Sequence, residues 1–133
     1  MRRALKLAVF LSLAIFIFGC EDYTLKAFAD PGVVSAGGSG KLVVSFKAHG
    51  KYHLEPEGLV LITFEPPAGV AIEKTELKGS DKISVGKFES KFTVAPGAAK
   101  GMTSIPAKVM FQLCTKEICR LINEERRIPL TIK

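Results

Sequence analysis

The sequence predicts a single antiparallel β-sandwich domain behind an N-terminal export signal, on three observations. Apolar and polar residues alternate with a period of two, most clearly in KFESKFTV at 87–94. Phe88, Phe92 and Val94 share one face of that segment, and polar residues occupy the other. Turn signals rich in Gly and Pro recur about every ten residues. No stretch after the export signal carries apolar residues at helical spacing.

The export signal occupies residues 1–19. Three positive charges in MRRALK precede twelve residues in which Ser12 is the single polar one. This apolar run is short for a transmembrane helix, which needs about 20 apolar residues. The ending IFGC resembles the lipobox of bacterial lipoproteins, in which Cys20 becomes the lipidated N-terminus. Because Phe18 is larger than the usual lipobox residue, an uncleaved signal anchor and an ordinary secretory signal are the alternatives.

Size and charge limit what the exported part does. Residues 20–133 suit one domain with its own core. The formal net charge of +6 falls to +3 without the three basic residues of the signal. Since no basic stripe with interleaved aromatic residues is present, no nucleic-acid partner is expected. No cofactor is expected either.

The domain is expected to divide into a leading segment at 20–40 and the sandwich proper at 41–133. The leading segment contains SAGGSG at 35–40, which is either part of a tether to the lipid or a turn after a first strand near 23–29. The continuously apolar LVLITF is typical of a strand buried on both faces. With this strand at 59–64, six strands are predicted after the leading segment, at 42–46, 59–64, 70–77, 87–94, 104–114 and 126–133.

Two cysteines remain once Cys20 carries lipid, and they are separated by the four residues TKEI. In the strand at 104–114, Cys114 falls on the face opposite the main aliphatic row. Cys119 opens the returning segment, so the two residues are expected to face each other across a hairpin. Because Cys114 ends a strand and Cys119 follows a short exposed connection, Cys114 is expected to be the more enclosed and Cys119 the easier to reach. Facing Cβ atoms there lie about 4.5–5.5 Å apart, which is close to the distance in a disulfide.

Three interpretations of this pair are open from the residues alone. A structural bridge closing so small a ring stabilises the fold by only about 2 kcal/mol on the loop-entropy model. A copper or zinc site needs further ligands, and only His49 and His53 are present to complete it. A redox pair needs an accessible disulfide, and Lys116 and Arg120 favour the thiolate only mildly because Glu117 offsets them.

The run VMFQLCTKEIC followed by RRIPLTIK resembles the end of the N-terminal domain of the thiol:disulfide interchange protein DsbD. Gln112 and Cys114 match the Tyr-Gln-x-Cys strand of that family, and Phe111 stands where the tyrosine is common. Upstream, KLVVSFKAHGKYHLEPEG, EPPAGVAIE and GKFESKFTVAPGAAKGM resemble the family's successive strands and turns. The resemblance extends over residues 42–133.

This resemblance implies an immunoglobulin-like sandwich in the periplasm, anchored here to a bacterial membrane by its lipid. Cys114 and Cys119 would cycle between dithiol and disulfide as the catalytic pair, and Cys119 matches the cysteine that forms the mixed disulfide. The implied partners are thioredoxin-like periplasmic oxidoreductases and a membrane electron donor. Because no counterpart of the relatives' membrane and thioredoxin-like domains follows Lys133, the donor is expected to be another protein.

The resemblance also implies a surround for the pair, with two departures from the family. Arg120 and Leu121 stand where Pro-Pro is usual. The segment 78–87 corresponds to the family's cap loop, expected to be a mobile cover, and offers Ile83 as its large apolar residue. Tyr52 and His53 lie where the family places tyrosines beside the disulfide, and ordinary turn packing is their alternative. A lipoprotein binding module with a purely structural disulfide is the alternative function.

Overall fold

The computed structural model describes residues 22–133, which form an immunoglobulin-like sandwich of two β-sheets. The predicted all-β fold class is therefore confirmed. The N-terminal signal and Cys20 lie outside the described residues. The strands are β1 (Tyr23–Asp30), β2 (Val33–Val34), β3 (Ser39–Ala48), β4 (Val60–Phe64), β5 (Val70–Ile72), β6 (Glu76–Lys78), β7 (Lys87–Val94), β8 (Gly101–Cys114) and β9 (Cys119–Ile132).

One sheet has the strand order β1-β3-β7-β5 and the other has the order β2-β9-β8-β4-β6. All neighbouring strands are antiparallel except β2 and β9, which pair in parallel. The inner faces of the two sheets meet in one apolar core, as the period-two alternation predicts. Its fully buried large side chains are Leu42, Ile62, Leu77, Phe88, Phe92, Ile105, Phe111, Leu113, Ile128 and Leu130.

Three segments differ from the sequence-based expectation. The strand expected at 70–77 divides into β5 and β6, which belong to different sheets, so the chain crosses the sandwich there. The strand expected from residue 126 begins at Cys119, because continuous pairing with β8 extends it over the polar residues 123–125. β4 is buried on one face only: Ile62 and Phe64 are buried, whereas its outer face is half-exposed.

The ends of the sandwich are closed differently. The disulfide end consists of the hairpin 114–119, the loop 49–59, the segment 79–86 and the start of β1 at 22–23. The opposite end consists of residues 31–38, 95–100 and Lys133. Residues 35–38 turn tightly between β2 and β3, and Gly37 adopts a positive φ of 84° there.

Candidate functional site

Cys114 and Cys119 form a disulfide at the tip of the β8–β9 hairpin. They face each other as the last pair of the ladder, with Cα atoms 4.0 Å apart. The next pair, Thr115 and Ile118, closes the turn with a bond from the Thr115 backbone N–H to the Ile118 carbonyl oxygen at 2.8 Å. A cross-strand disulfide therefore sits directly beneath a four-residue turn.

The turn is held by its own first residue. The Thr115 hydroxyl oxygen accepts hydrogen bonds from the backbone N–H groups of Glu117 and Ile118, at 3.3 and 3.2 Å. Threonine at the start of a turn satisfies donors that a short loop otherwise leaves unpaired. This role was not predicted from the sequence, although a Thr directly after the strand is the pattern that signals it.

Cys114 is fully buried because a second segment flanks it. On the side away from Cys119, His53 forms a two-bond bridge to Cys114: each backbone N–H donates to the other carbonyl, at 2.8 and 3.0 Å. Residues 54–58 bulge out before the chain rejoins β8 at Leu59, whose carbonyl accepts the Gln112 N–H at 3.1 Å. Cys114 is thus enclosed between two backbones, one of them distant in sequence.

Cys119 is exposed, and the sheet topology explains why. β9 has β8 on one side along its whole length, but β2 pairs with it only at Thr131 and Ile132. At Cys119 the other edge of β9 therefore has no strand beside it among residues 22–133. The two sulfurs belong to one bond but to different environments, one enclosed and one at a free strand edge.

An ion pair links the two sheets next to the disulfide. The Arg120 guanidinium donates to the Asp22 carboxylate at 2.5 Å, and Asp22 directly precedes β1 in the other sheet. The same guanidinium lies over the Tyr52 ring, 5.4 Å from its centroid. Tyr52 and Arg120 therefore lie together beside the disulfide. Asp22 was not identified from the sequence, since its partner is separated from it by most of the chain.

Phe111 and Gln112 serve different faces of β8. Phe111 is fully buried and stacks on Phe46 with centroids 4.2 Å apart, while the Tyr23 ring meets its edge at 5.3 Å. Burial and the nearby Glu124 carboxylate raise the pKa of Tyr23. Gln112 lies on the same face of β8 as Cys114, and its side-chain oxygen accepts the Leu59 N–H at 3.2 Å. Phe111 thus supports the strand from the core, and Gln112 holds the loop that encloses Cys114.

Segment 79–86 lies at the disulfide end, with residues 52–59 between it and β8. Gly79–Asp81 form a short 3-10 turn, and Ile83 is exposed, its backbone N–H donating to Lys87 within the same segment. Gly86 holds the segment against β3, because its carbonyl accepts the Phe46 N–H at 2.8 Å. The segment directly bonded to Cys114 is thus 52–54, and a cover by Ile83 remains a prediction.

The side chains of the two histidines are bonded to groups other than the cysteines. The His49 ring nitrogen lies 2.5 Å from the Thr24 hydroxyl, and the His53 ring nitrogen lies 2.7 Å from a Glu55 carboxylate oxygen. Within residues 22–133, no three side chains of the metal-binding types come together. Nor does that part of the chain contain a helix long and apolar enough to cross a membrane.

Comparison with known proteins adds structural likeness only. No profile of a known protein family matches the chain, and a search of curated proteins finds no match. The periplasmic chaperone SfaE has a TM-score of 0.46 at 10% identity, over 84% of this chain and 57% of its own. Domains 4 and 5 of the S-layer protein SbsC have a TM-score of 0.39 at 16% identity, over 83% of this chain and 53% of their own.

A conjugative transposon lipoprotein from Bacteroides eggerthii gives a TM-score of 0.38 at 12% identity, over 80% of this chain and 97% of its own. The present chain thus spans little more than half the length of the chaperone and the S-layer fragment. Likeness at this level concerns the β-sandwich architecture and extends to no activity.

Proposed function

We propose that this protein exchanges thiols and disulfides with thioredoxin-like partners through Cys114 and Cys119, as a lipid-anchored protein of the periplasm. The observation that carries the proposal is the asymmetry of the bond: Cys114 is fully buried, whereas Cys119 is exposed at a free strand edge. Thiol–disulfide exchange depends on access to one sulfur and on a leaving thiolate at the other. The exposure of Cys119 meets the requirement for access, and attack there makes the enclosed Cys114 the leaving and resolving thiol.

In the proposed reaction, a partner thiolate attacks the sulfur of Cys119. The bond between the two cysteines breaks, and Cys114 leaves as a thiolate that takes up a proton. The partner's second thiolate then attacks its own sulfur in the mixed disulfide and releases Cys119 as a thiolate, which takes up the second proton. Two electrons and two protons have passed to this protein, and the partner holds a disulfide. The reverse sequence passes the electrons on to an oxidised periplasmic oxidoreductase.

The structural alternative is weaker on energetic grounds. The disulfide closes a ring of six residues within one hairpin, which stabilises the fold by only about 2 kcal/mol on the loop-entropy model. The hairpin below it already has a continuous ladder from Gly101 and Ile132 to the cysteines. Since the ladder sets the register without a covalent link, the bond is better explained by reactivity than by stability.

Reduction by thioredoxin tests the proposal. The oxidised protein, prepared without its signal as residues 21–133, is mixed with reduced thioredoxin, and free thiols are counted by alkylation and mass spectrometry. Rapid reduction, and an equilibrium with glutathione near the potentials of exchange proteins, are expected. A bond that thioredoxin leaves intact would favour the binding module with a structural disulfide. Copper or zinc retained by the reduced protein and lost on alkylation would favour a metal site.

A further inference from the structure

The start of the described chain lies at the disulfide end of the sandwich. Tyr23 pairs with Ala48 at that end, and Asp22 is bound to Arg120, the residue after Cys119. The apolar run of the export signal and the lipobox cysteine come immediately before, at residues 7–20. Tyr23 is three positions after Cys20 in the chain, and an extended chain covers about 3.3–3.6 Å per residue. A membrane attachment at Cys20 therefore lies within about 10 Å of β1.

This reach is short compared with the length of the domain. β8 has 14 residues and runs from one end of the sandwich to the other. At about 3.3 Å per residue it is roughly 45 Å long. A domain held by a link of about 10 Å cannot turn its opposite end to the bilayer without moving its first strand away from the anchor. The disulfide end is therefore the end that meets the membrane.

The exposed apolar side chains are also concentrated at the disulfide end. Eight large apolar side chains are exposed among the described residues, and five of them lie at the disulfide end. Ile118 at the hairpin tip is 64% exposed, although a surface turn gains nothing in water from an isoleucine. Exposed apolar side chains beside a lipid anchor are suited to the interface of a bilayer. The five are Leu59, Ile83, Val85, Ile118 and Leu121.

We infer that the disulfide end rests on the lipid bilayer, with Ile118 and its apolar neighbours at the headgroup boundary. One consequence of this inference also rests on the proposed function: the electron donor must present its thiols close to the membrane surface. A donor domain that works far from the bilayer would not reach Cys119 while the short anchor holds the domain down. The donor class is thus a membrane protein with surface-level thiols, and the bilayer is what covers the exposed apolar residues of this end.

Tryptophan fluorescence tests the orientation, because the chain contains no tryptophan. Ile118→Trp and Met102→Trp each place one tryptophan at an exposed apolar site, at the disulfide end and the opposite end respectively. The lipidated full-length proteins are reconstituted into phosphatidylethanolamine and phosphatidylglycerol vesicles carrying brominated acyl chains. Bromine is expected to quench the Ile118→Trp protein several-fold more strongly than the Met102→Trp protein. Equal quenching, stronger quenching at position 102, or a protein found outside the membrane fraction would overturn the inference.

A lengthened anchor separates this inference from the proposed function. A Gly/Ser insertion of about 20 residues after Cys20 adds a mean reach of roughly 25 Å. Quenching of the Ile118→Trp protein is then expected to fall towards that of the Met102→Trp protein, and unchanged strong quenching would overturn the role of the short anchor. Reduction by soluble thioredoxin is measured in detergent in parallel. Normal reduction with no orientation would reject the inference alone, whereas orientation without reduction would reject the exchange function alone.

Discussion

The two ends of the sandwich are closed by different means. At the opposite end, backbone hydrogen bonds continue the strand ladders within each sheet: the Gly37 N–H donates to Val94, the Val94 N–H to Gly38, and the Lys133 N–H to Val34. At the disulfide end, side chains take part as well: the Arg120–Asp22 ion pair links the two sheets, and the Thr115 hydroxyl holds the turn of the β8–β9 hairpin. Backbone groups are the same in every residue, so the opposite end depends little on which side chains it carries. The disulfide end, closed by side chains and loops, carries the disulfide and most of the exposed apolar residues.

The same contrast appears within single strands. β9 buries the residues that face the core, such as Ile128 and Ile132, whereas Cys119 lies on its outer face at the end where only β8 is beside it. β8 remains enclosed at its final residue because His53 flanks Cys114. Access to the two cysteines thus depends on what lies beside each strand, and the predictions below ask how far that difference extends.

The largest effect is expected from removing one cysteine at a time. Cys114→Ser leaves Cys119 as a free, exposed thiol and should accumulate mixed disulfides with a thioredoxin-like partner. Cys119→Ser leaves only the enclosed thiol and should accumulate several-fold less. The covalent complexes are counted on non-reducing gels after incubation with the oxidised partner. Equal trapping by both variants would remove the assignment of roles, and the double variant gives the background.

The core beneath the disulfide should be sensitive to truncation. Phe111→Ala removes a fully buried ring that stacks on Phe46, and should lower the free energy of unfolding by about 3–5 kcal/mol. Leu121→Ala, on the neighbouring strand but exposed, should change it by less than about 0.5 kcal/mol. Urea denaturation followed by circular dichroism gives both values. Similar losses in the two variants would mean that Phe111 is not a core residue.

Gly86 should tolerate no side chain. Its φ is +78°, and a Cβ there would lie 2.3 Å from the Phe46 carbonyl oxygen, so Gly86→Ala should cost more than about 1 kcal/mol. Gly97 at the opposite end has no positive φ and open space around it, and Gly97→Ala should stay within about 0.5 kcal/mol of the wild type. Thermal unfolding compares the two. An unaffected Gly86→Ala protein would show that segment 79–86 is not held against β3 in solution.

The smallest effect is expected at Asp81 in the same segment. Its carboxylate accepts hydrogen bonds from the Lys74 ammonium at 2.6 Å and the Lys78 backbone N–H at 2.8 Å, and these lower the pKa of Asp81 below its ordinary 3.8. A carboxyl group whose pKa is lower in the folded state stabilises the fold at pH values above its ordinary pKa. This stabilisation is lost as the pH falls through the folded-state pKa.

Wild type and Asp81→Asn should therefore differ slightly in unfolding midpoint at pH 7 and converge in acid. Glu117→Gln, at an exposed position without an ion pair among the described residues, is the control and should show no such convergence. A wild-type advantage that grows on acidification would contradict the assignment.

The sequence alone determined the all-β fold and the hairpin that brings the cysteines together. Period-two alternation and closely spaced turns are local signals, and four residues between Cys114 and Cys119 allow little but a tight reversal. From the position of Cys114 at the end of a strand, the sequence also predicted that it is the more enclosed cysteine, but it did not identify the segment that encloses it. Local patterns extend no further than one strand and its turn.

Tertiary structure decided everything that depends on distant neighbours. His53 encloses Cys114 across sixty-one positions of the chain, and the short β2 leaves Cys119 at a free edge. The division of 70–77 between two sheets and the pairing of Asp22 with Arg120 have the same origin. Strand order and edge exposure arise from packing between segments far apart in sequence, and the periodicity of a single segment does not specify its neighbour.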